Sequence, residues 1–287
     1  AATNMSGFDF ENNWTTTSDY PNLRALSETD HVDPSDLSGD GTESNPYEIS
    51  NAFELQAMED DLDANYELVA DIDASNTSSW YGGKGFDPIG GVDNDINTPG
   101  SSFSGTLDGN GHTITGLTID RPNEDFTGLF GNTSETTIKT VTLTSVSVTG
   151  NEIVGGVVGD SNGGTIRNVS IDGAVTGKGA GEDGNPDDTG GLAGVASSTT
   201  IRDVSASVTV TGFKRVGGVV GATGDDVVIK NASATGDIKG KKYDGTFPEY
   251  VGGLIGLNGG SIRIASASGA VNGSDRVGGL VGWNDGN

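Results

Sequence analysis

Val154-Gly155-Gly156-Val157-Val158-Gly159 is the stretch on which the reading of this chain turns. It recurs with substitutions as Phe126-Thr127-Gly128-Leu129-Phe130-Gly131 before it, and as Thr189 to Gly194, Val216 to Gly221, Val251 to Gly256 and Val277 to Gly282 after it. The starts lie 28, 35, 27, 35 and 26 residues apart. Self-similarity on this scale, about 27 residues with an insertion in every second copy, marks an architecture of stacked repeats.

Two further segments follow each copy. Ile138, Ile166, Ile201, Ile229 and Ile262 stand 12, 12, 12, 13 and 11 residues after the starts, a constancy that a flexible Gly-rich linker does not keep. The third segment reads Val146-Ser147-Val148, Gly173-Ala174-Val175, Val208-Thr209-Val210, Gly236-Asp237-Ile238 and Gly269-Ala270-Val271. Short β-branched segments bounded by Gly, Asn or Ser are strand signals. Three strands per period predict one coil of a triangular solenoid. Alternation turns the five Ile inward and Lys139, Arg167, Arg202, Lys230 and Arg263 outward. The Gly pair lets neighbouring backbone come close.

The 287 residues include 48 Gly and are 32% hydrophobic, a balance that suits many tight turns better than an ordinary globular core. There are 41 acidic and 15 basic residues, a net charge of −26. Such self-repulsion is costly in dilute buffer. In molar salt the Debye length falls to about 3 Å and the repulsion is screened. Ordinary acidity for solubility would explain the charge; adaptation to high salt, and a halophilic source, explains it together with the scarcity of Lys. Nucleic acid is excluded as an expected partner, because phosphate binding needs a basic face. The chain has no Cys and so no disulfide. No apolar run approaches the roughly 18 residues of a membrane span, and no signal peptide opens the sequence, as in a mature secreted fragment.

The Val-Gly-Gly-Leu-Val-Gly type runs, each followed by a turn and an Ile-Arg/Lys strand, resemble the GLUG repeats of bacterial and archaeal surface proteins. The lead-in is similar too: Asn45-Pro46-Tyr47-Glu48-Ile49-Ser50, Phe53-Glu54-Leu55-Gln56-Ala57-Met58, Asn65-Tyr66-Glu67-Leu68, and Phe103 through the Asp108-Gly109-Asn110-Gly111-His112 turn to Ile114. The resemblance implies an all-β, right-handed parallel β-helix, an extracellular location and an adhesive or structural role without catalysis by the repeats. Proteins with such repeats include giant adhesins and accessory segments of secreted enzymes, so a polysaccharide-active β-helix enzyme is the competing expectation.

Four stretches are expected along the chain. Residues 1–26, with Phe8, Phe10, Trp14, Tyr20 and Leu23, resemble a segment that closes a preceding domain. Residues 27–43 read as an acidic linker with Pro34. Residues 44–125 hold the lead-in coils and a capping helix over Ser50 to Leu62, capped by Ser50, with Leu55, Met58 and Leu62 on one face. Residues 126–287 hold the repeats, and the sequence stops within a coil at Trp283-Asn284-Asp285-Gly286-Asn287. The expected partners are neighbouring copies joined head to tail, as a filament or a giant adhesin, and cell-surface polysaccharide or protein.

The insertions carry the chemistry. Glu182, Asp183, Asn185, Asp187 and Asp188 crowd oxygen ligands into seven residues, which suits Ca²⁺. Asp93, Asn94, Asp95 and Asn97 form a weaker candidate of the same kind. Tyr243 and Phe247 in the second insertion, Gly240 to Glu249, with Tyr250 just beyond it, offer aromatic faces for a sugar or a protein. The cationic column is either an anion-binding stripe or a solvated face compensated by nearby acids. Asp120 and Asp172 read as matching strand ends two coils apart, near the separation of paired glycosidase carboxylates. Neither His31 nor His112 has the neighbours of a catalytic set. Asn-x-Ser/Thr sequons at Asn4, Asn13, Asn76, Asn132, Asn168, Asn231 and Asn272 are candidate glycosylation sites of a glycoprotein. Asn168 and Asn231 share a repeat position and could instead stack in a buried corner ladder.

Overall fold

The computed structural model describes residues 14–16, 21–23, 32–91, 102–179, 187–241 and 249–286. Backbone of Trp14–Thr16 pairs antiparallel with Pro21–Leu23. All other laddered strands are parallel, and they pair with strands of the neighbouring coils. The chain is a parallel β-helix.

Three sheets run along its axis. Sheet 1 is built from Thr137–Gly150, Thr165–Gly177, Thr200–Gly212, Val228–Ala234 and Ser261–Ala267, and extends through Thr106–Asp108 and Asn65–Leu68 to Tyr47–Ile49. Sheet 2 stacks Ile153–Gly155, Asp188–Gly190, Arg215–Gly217, Tyr250–Gly252 and Arg276–Gly278. Sheet 3 stacks Phe130–Ser134, Val158–Asn162, Ala193–Ser197, Val220–Thr223, Ile255–Asn258 and Val281–Asn284. Ile138, Ile166, Ile201, Ile229 and Ile262 share one column of sheet 1, and the first four are fully buried.

The corners fall elsewhere than the sequence pattern implies. The Val-Gly-Gly run is not one strand: it bends at its second glycine, from sheet 2 into sheet 3. In the first three regular coils the Ile segment and the segment after it run on as one strand of sheet 1; in the last two they are separate strands, Val228–Ala234 then Ile238–Gly240 and Ser261–Ala267 then Val271–Asn272. The strand that carries the Ile turns at a left-handed residue, successively Thr140, Asn168, Asp203, Asn231 and Ile264, with φ of 56°, 53°, 57°, 54° and 58°. A Cβ on Gly191, Gly218 or Gly253 would collide with the carbonyl oxygen of the equivalent glycine one coil further on, which is why the bend keeps glycine. The first copy is one residue short here: Thr127, not Phe126, pairs with Val154, and Phe130 pairs with Val158.

Two expectations about the first coils change. The helix is shorter, Ala52–Gln56 followed by a 3-10 turn over Ala57–Asp60, and Asn51 caps it by accepting from Phe53 N and Glu54 N. Ser50 instead donates its N–H and O–H to Glu54. The helix still closes the core, with Leu55 and Met58 fully buried. From Asp33 onward the stretch expected as a linker folds onto the first coil. Asp33 caps a 3-10 turn at Pro34–Asp36, Leu37 packs on the core, and Asn65 N donates to Gly41 O at 2.8 Å. Its acidic residues serve local turns; Asp40 accepts from Thr42 N and Oγ1.

Candidate functional site

Outward residues of sheet 2 fall in one column: Ile153, Asp188, Arg215, Tyr250 and Arg276. Those of sheet 3 form another: Asp160, Val195, Ala222, Leu257 and Trp283. The two faces converge at the glycine bend and enclose a crevice. Its far end shows the convergence directly. The Arg276 guanidinium lies 5.1 Å from the Tyr250 ring centre and 4.5 Å from that of Trp283, and the two rings are 6.0 Å apart. Arg276 Nη1 also donates to the Tyr250 hydroxyl at 2.7 Å.

Asp188 lies fully buried deeper in this crevice and is paired with Arg215, whose Nη2 donates to Oδ2 at 2.6 Å and whose Nε faces Oδ1. Desolvation pushes the Asp188 carboxyl up to about 7; Arg215 opposes that rise, and Asp187 and Asp160 add to it. Burial raises the Asp160 carboxyl as well. One position earlier in the chain, Glu152, Asp187, Lys214 and Glu249 are all buried, and Lys214 Nζ lies 3.8 Å from Asp187. Glu249 accepts from Ser274 N at 3.1 Å and Ser274 Oγ at 2.7 Å. Two acids of one coil therefore face two cations of the next. This arrangement exists only in one axial register, so it opposes slippage of a stack whose glycine-rich strands specify register weakly.

The expected ligand residues are thus divided. Asp187 and Asp188 point into the buried ladder, with Asp188 held by Arg215. Glu182, Asp183 and Asn185, and the weaker group Asp93, Asn94, Asp95 and Asn97, lie outside the described residues. Among the described residues, no group of three or more His, Cys, Asp or Glu is arranged to hold a metal ion. Tyr243 and Phe247 also lie outside them, whereas Tyr250 is half-buried against Arg276 and Trp283. Trp283, 43% exposed, is a site residue that sequence reasoning missed, because its pairing with Tyr250 depends on the bend between the sheets.

Asp120 and Asp172 are not matched. Asp120 pairs with Thr149, and Thr149 with Thr176; Asp172 pairs with Ser207 and accepts from Ser145 N at 2.8 Å. The two belong to different segments of the coil: Asp172 follows Ile171, which pairs with Leu143 beside Ile114, whereas Asp120 lies in the later segment that begins at Thr118. His112 Nδ1 lies 3.2 Å from Asp71. Of the sequon residues, Asn168, Asn231 and Asn272 are exposed, Asn76 and Asn132 are half-buried, and Asn4 and Asn13 lie outside the described residues. Asn168 and Asn231 do share a corner, but on the outside. Asn231 Nδ2 donates to Asp203 Oδ1 at 2.8 Å.

Fold and crevice together define an acidic β-solenoid of glycine-bent coils, held in register by a buried ionic ladder. Comparison with known proteins places it among similar chains. It is 48% identical over 145 residues to halomucin of Haloquadratum walsbyi, covering 48% of this chain and 2% of that protein. It is 36% identical over 139 residues to a protein described as a Gly-rich membrane protein of Evansella cellulosilytica, covering 47% of this chain and 15% of that protein. The chain therefore spans a small fraction of either relative. No family model matches it. A solved structure described as an immunoglobulin A1 protease from Bacteroides ovatus superposes with a TM-score of 0.60 at 21% identity, over 86% of this chain and 76% of that one. This last likeness shows the fold. Among the described residues, no helix is long and apolar enough to cross a membrane.

Proposed function

We propose that this chain is a structural and adhesive repeat module of a secreted or cell-surface protein that works in high salt. The observation that carries this reading is the continuity of the stack. On all three sheets each repeat coil is bonded in register to the next, so the chain's regular features serve to build a rod. The rod holds outward columns at about 4.8 Å spacing and can present them to a partner. The names of the two relatives, a halomucin and a membrane protein, support a surface location, and the net charge of −26 supports a saline one. In a larger protein, or between copies, such rods would join head to tail, because a heterologous contact propagates rather than closes.

The test is thermal unfolding from dilute buffer to molar NaCl. The midpoint rises with salt as the repulsion among the 41 acidic residues is screened. A midpoint that is flat or falls removes the high-salt reading.

A further inference from the structure

Sheet 1 carries an outward charge pattern that stacking uses only in part. In register, one column reads Glu48, Glu67, Asp108, Lys139, Arg167, Arg202, Lys230 and Arg263. Three acids are followed by five cations, a third of the chain's 15. Lys139 Nζ pairs with Asp108 at 2.7 Å and Arg202 Nη1 with Asp203 at 2.9 Å. Arg167, Lys230 and Arg263 form no salt bridge among the described residues. Among the described residues, direct ion pairs therefore compensate Lys139 and Arg202, and Lys230 acts on Asp203 through its charge without a direct pair.

Beside this column, where sheet 1 turns at its left-handed residues, lies an open groove of about 360 Å³. Ser205, Ser233 and Ser266 line it along the stack, and Asp203, Asn231 and Ile264 form its corner side. Asp203 ties the groove to the column: it accepts from Asn231 and from Arg202, and the charges of Arg202 and Lys230 help hold its carboxyl below the usual range. Ile264 is 72% exposed in this groove and sits in the left-handed region, a costly conformation for a β-branched side chain.

We propose that this groove binds an extended anionic glycan, a linear polysaccharide bearing carboxylate or sulfate groups. Arg167, Arg202, Lys230 and Arg263 take its charges, the serine hydroxyls meet its hydroxyls, and Ile264 covers an apolar sugar face. The proposal rests on the surface-module reading and names its ligand class. A groove open along the stacking direction fits a chain better than a compact ligand. Arginine presents a planar fork that matches carboxylate and sulfate oxygens. In molar salt the field of the net charge is screened within about 3 Å, while hydrogen bonds at contact distance persist. The switch to acids at Asp108 confines the footprint to the coils that carry the cations.

The experiment is calorimetry on the full chain in molar NaCl, with polygalacturonate as the carboxylate probe, dextran sulfate as the sulfate probe and dextran as the neutral control. At least one acidic glycan binds and dextran does not. The triple variant Arg167→Gln, Lys230→Gln, Arg263→Gln, which leaves both ion pairs in place, weakens binding by about tenfold or more. Asp203→Asn strengthens it by about threefold, because it removes a competing carboxylate; this arm decides if the triple variant does not fold. The proposal is overturned if neither acidic glycan binds, if dextran binds equally, if binding ignores the charge variants, or if single-stranded DNA or polyglutamate binds more tightly than both glycans. Failure here leaves the salt-dependent midpoint untouched, since that measurement contains no glycan.

Discussion

The lead-in coils and the regular coils enclose one core by different means. Up to Phe130 the core is filled with rings. Tyr47 packs on Tyr66 at 5.5 Å, Tyr66 on Phe103 at 6.2 Å and Phe103 on Phe130 at 4.8 Å, while Trp80 lies between Phe53 and Phe86. From Ile138 onward the buried hydrophobic residues, among those described, are Ile, Val, Leu and Ala. Strand regularity explains the contrast. The lead-in strands are short, as in Tyr47–Ile49 and Thr106–Asp108, and leave uneven gaps that large rings fill. In the regular coils the same residue recurs about 4.8 Å further along, so small side chains already touch and glycine brings the backbones together. The lead-in depends on particular side chains; the repeats depend on backbone proximity.

The largest expected effect is therefore a single ring lost from the lead-in. Phe103→Ala removes a fully buried side chain that contacts Tyr66 and Phe130, and costs about 3–5 kcal/mol. Urea unfolding measures it. A loss below about 1 kcal/mol would mean the rings are not what holds the lead-in.

Next comes the complementary experiment, in which one methyl is added to the repeats. Gly218→Ala places a Cβ against Gly253 O and the Ala234 Cβ, so the coils must part. The cost is about 3 kcal/mol, at the upper end of overpacking because a backbone carbonyl has little room to yield. Were the variant as stable as the parent, close backbone approach would not be the organising feature of the repeats.

Legibility follows the same division. The Ile column and the cationic column could be read because period-2 alternation and a fixed spacing act on side-chain type, which sequence displays. The corner at Thr140, Asn168, Asp203, Asn231 and Ile264 showed in sequence only through the shared position of Asn168 and Asn231, since Thr140 and Ile264 adopt its backbone conformation without the Asn/Asp chemistry that favours it. The glycine bend was seen as glycine and misread as strand, because a close-approach glycine and a bend glycine look alike in sequence. The Asp188–Arg215 pair joins neighbouring coils one regular period apart, but Asp188 read as the end of an acidic insertion and not as the first residue of a strand. It becomes visible only once register is known.

A smaller effect is expected from pH. An acid whose folded value lies above its unfolded value holds its proton more readily in the native state. Burial takes Asp188 from 3.8 to about 7, so its contribution to stability is greatest below 3.8 and falls as pH climbs towards 7. In molar NaCl, where the net charge is screened, the thermal midpoint is higher at about pH 5 than at about pH 8. Asp188→Asn flattens that slope. An unchanged slope in the variant would assign the dependence to other groups.

The smallest effect has the opposite sign and comes from the one apolar residue at the left-handed corner. Thr140, Asn168, Asp203 and Asn231 precede Ile264 in this column, and Asn or Asp tolerates the conformation best. Ile264 is 72% exposed, so replacing it forfeits little burial. Ile264→Asn is therefore expected to stabilise the chain by about 1 kcal/mol, visible as a raised thermal midpoint. The same substitution removes the apolar contact offered to a bound glycan and should weaken its binding. The pairing of a gain in stability with a loss in affinity is the informative result: it would show that strain is held at this corner for the sake of the groove. A variant less stable than its parent would show instead that Ile264 packs usefully on its own coil, and the contrast between a strained corner and relaxed coils would then disappear.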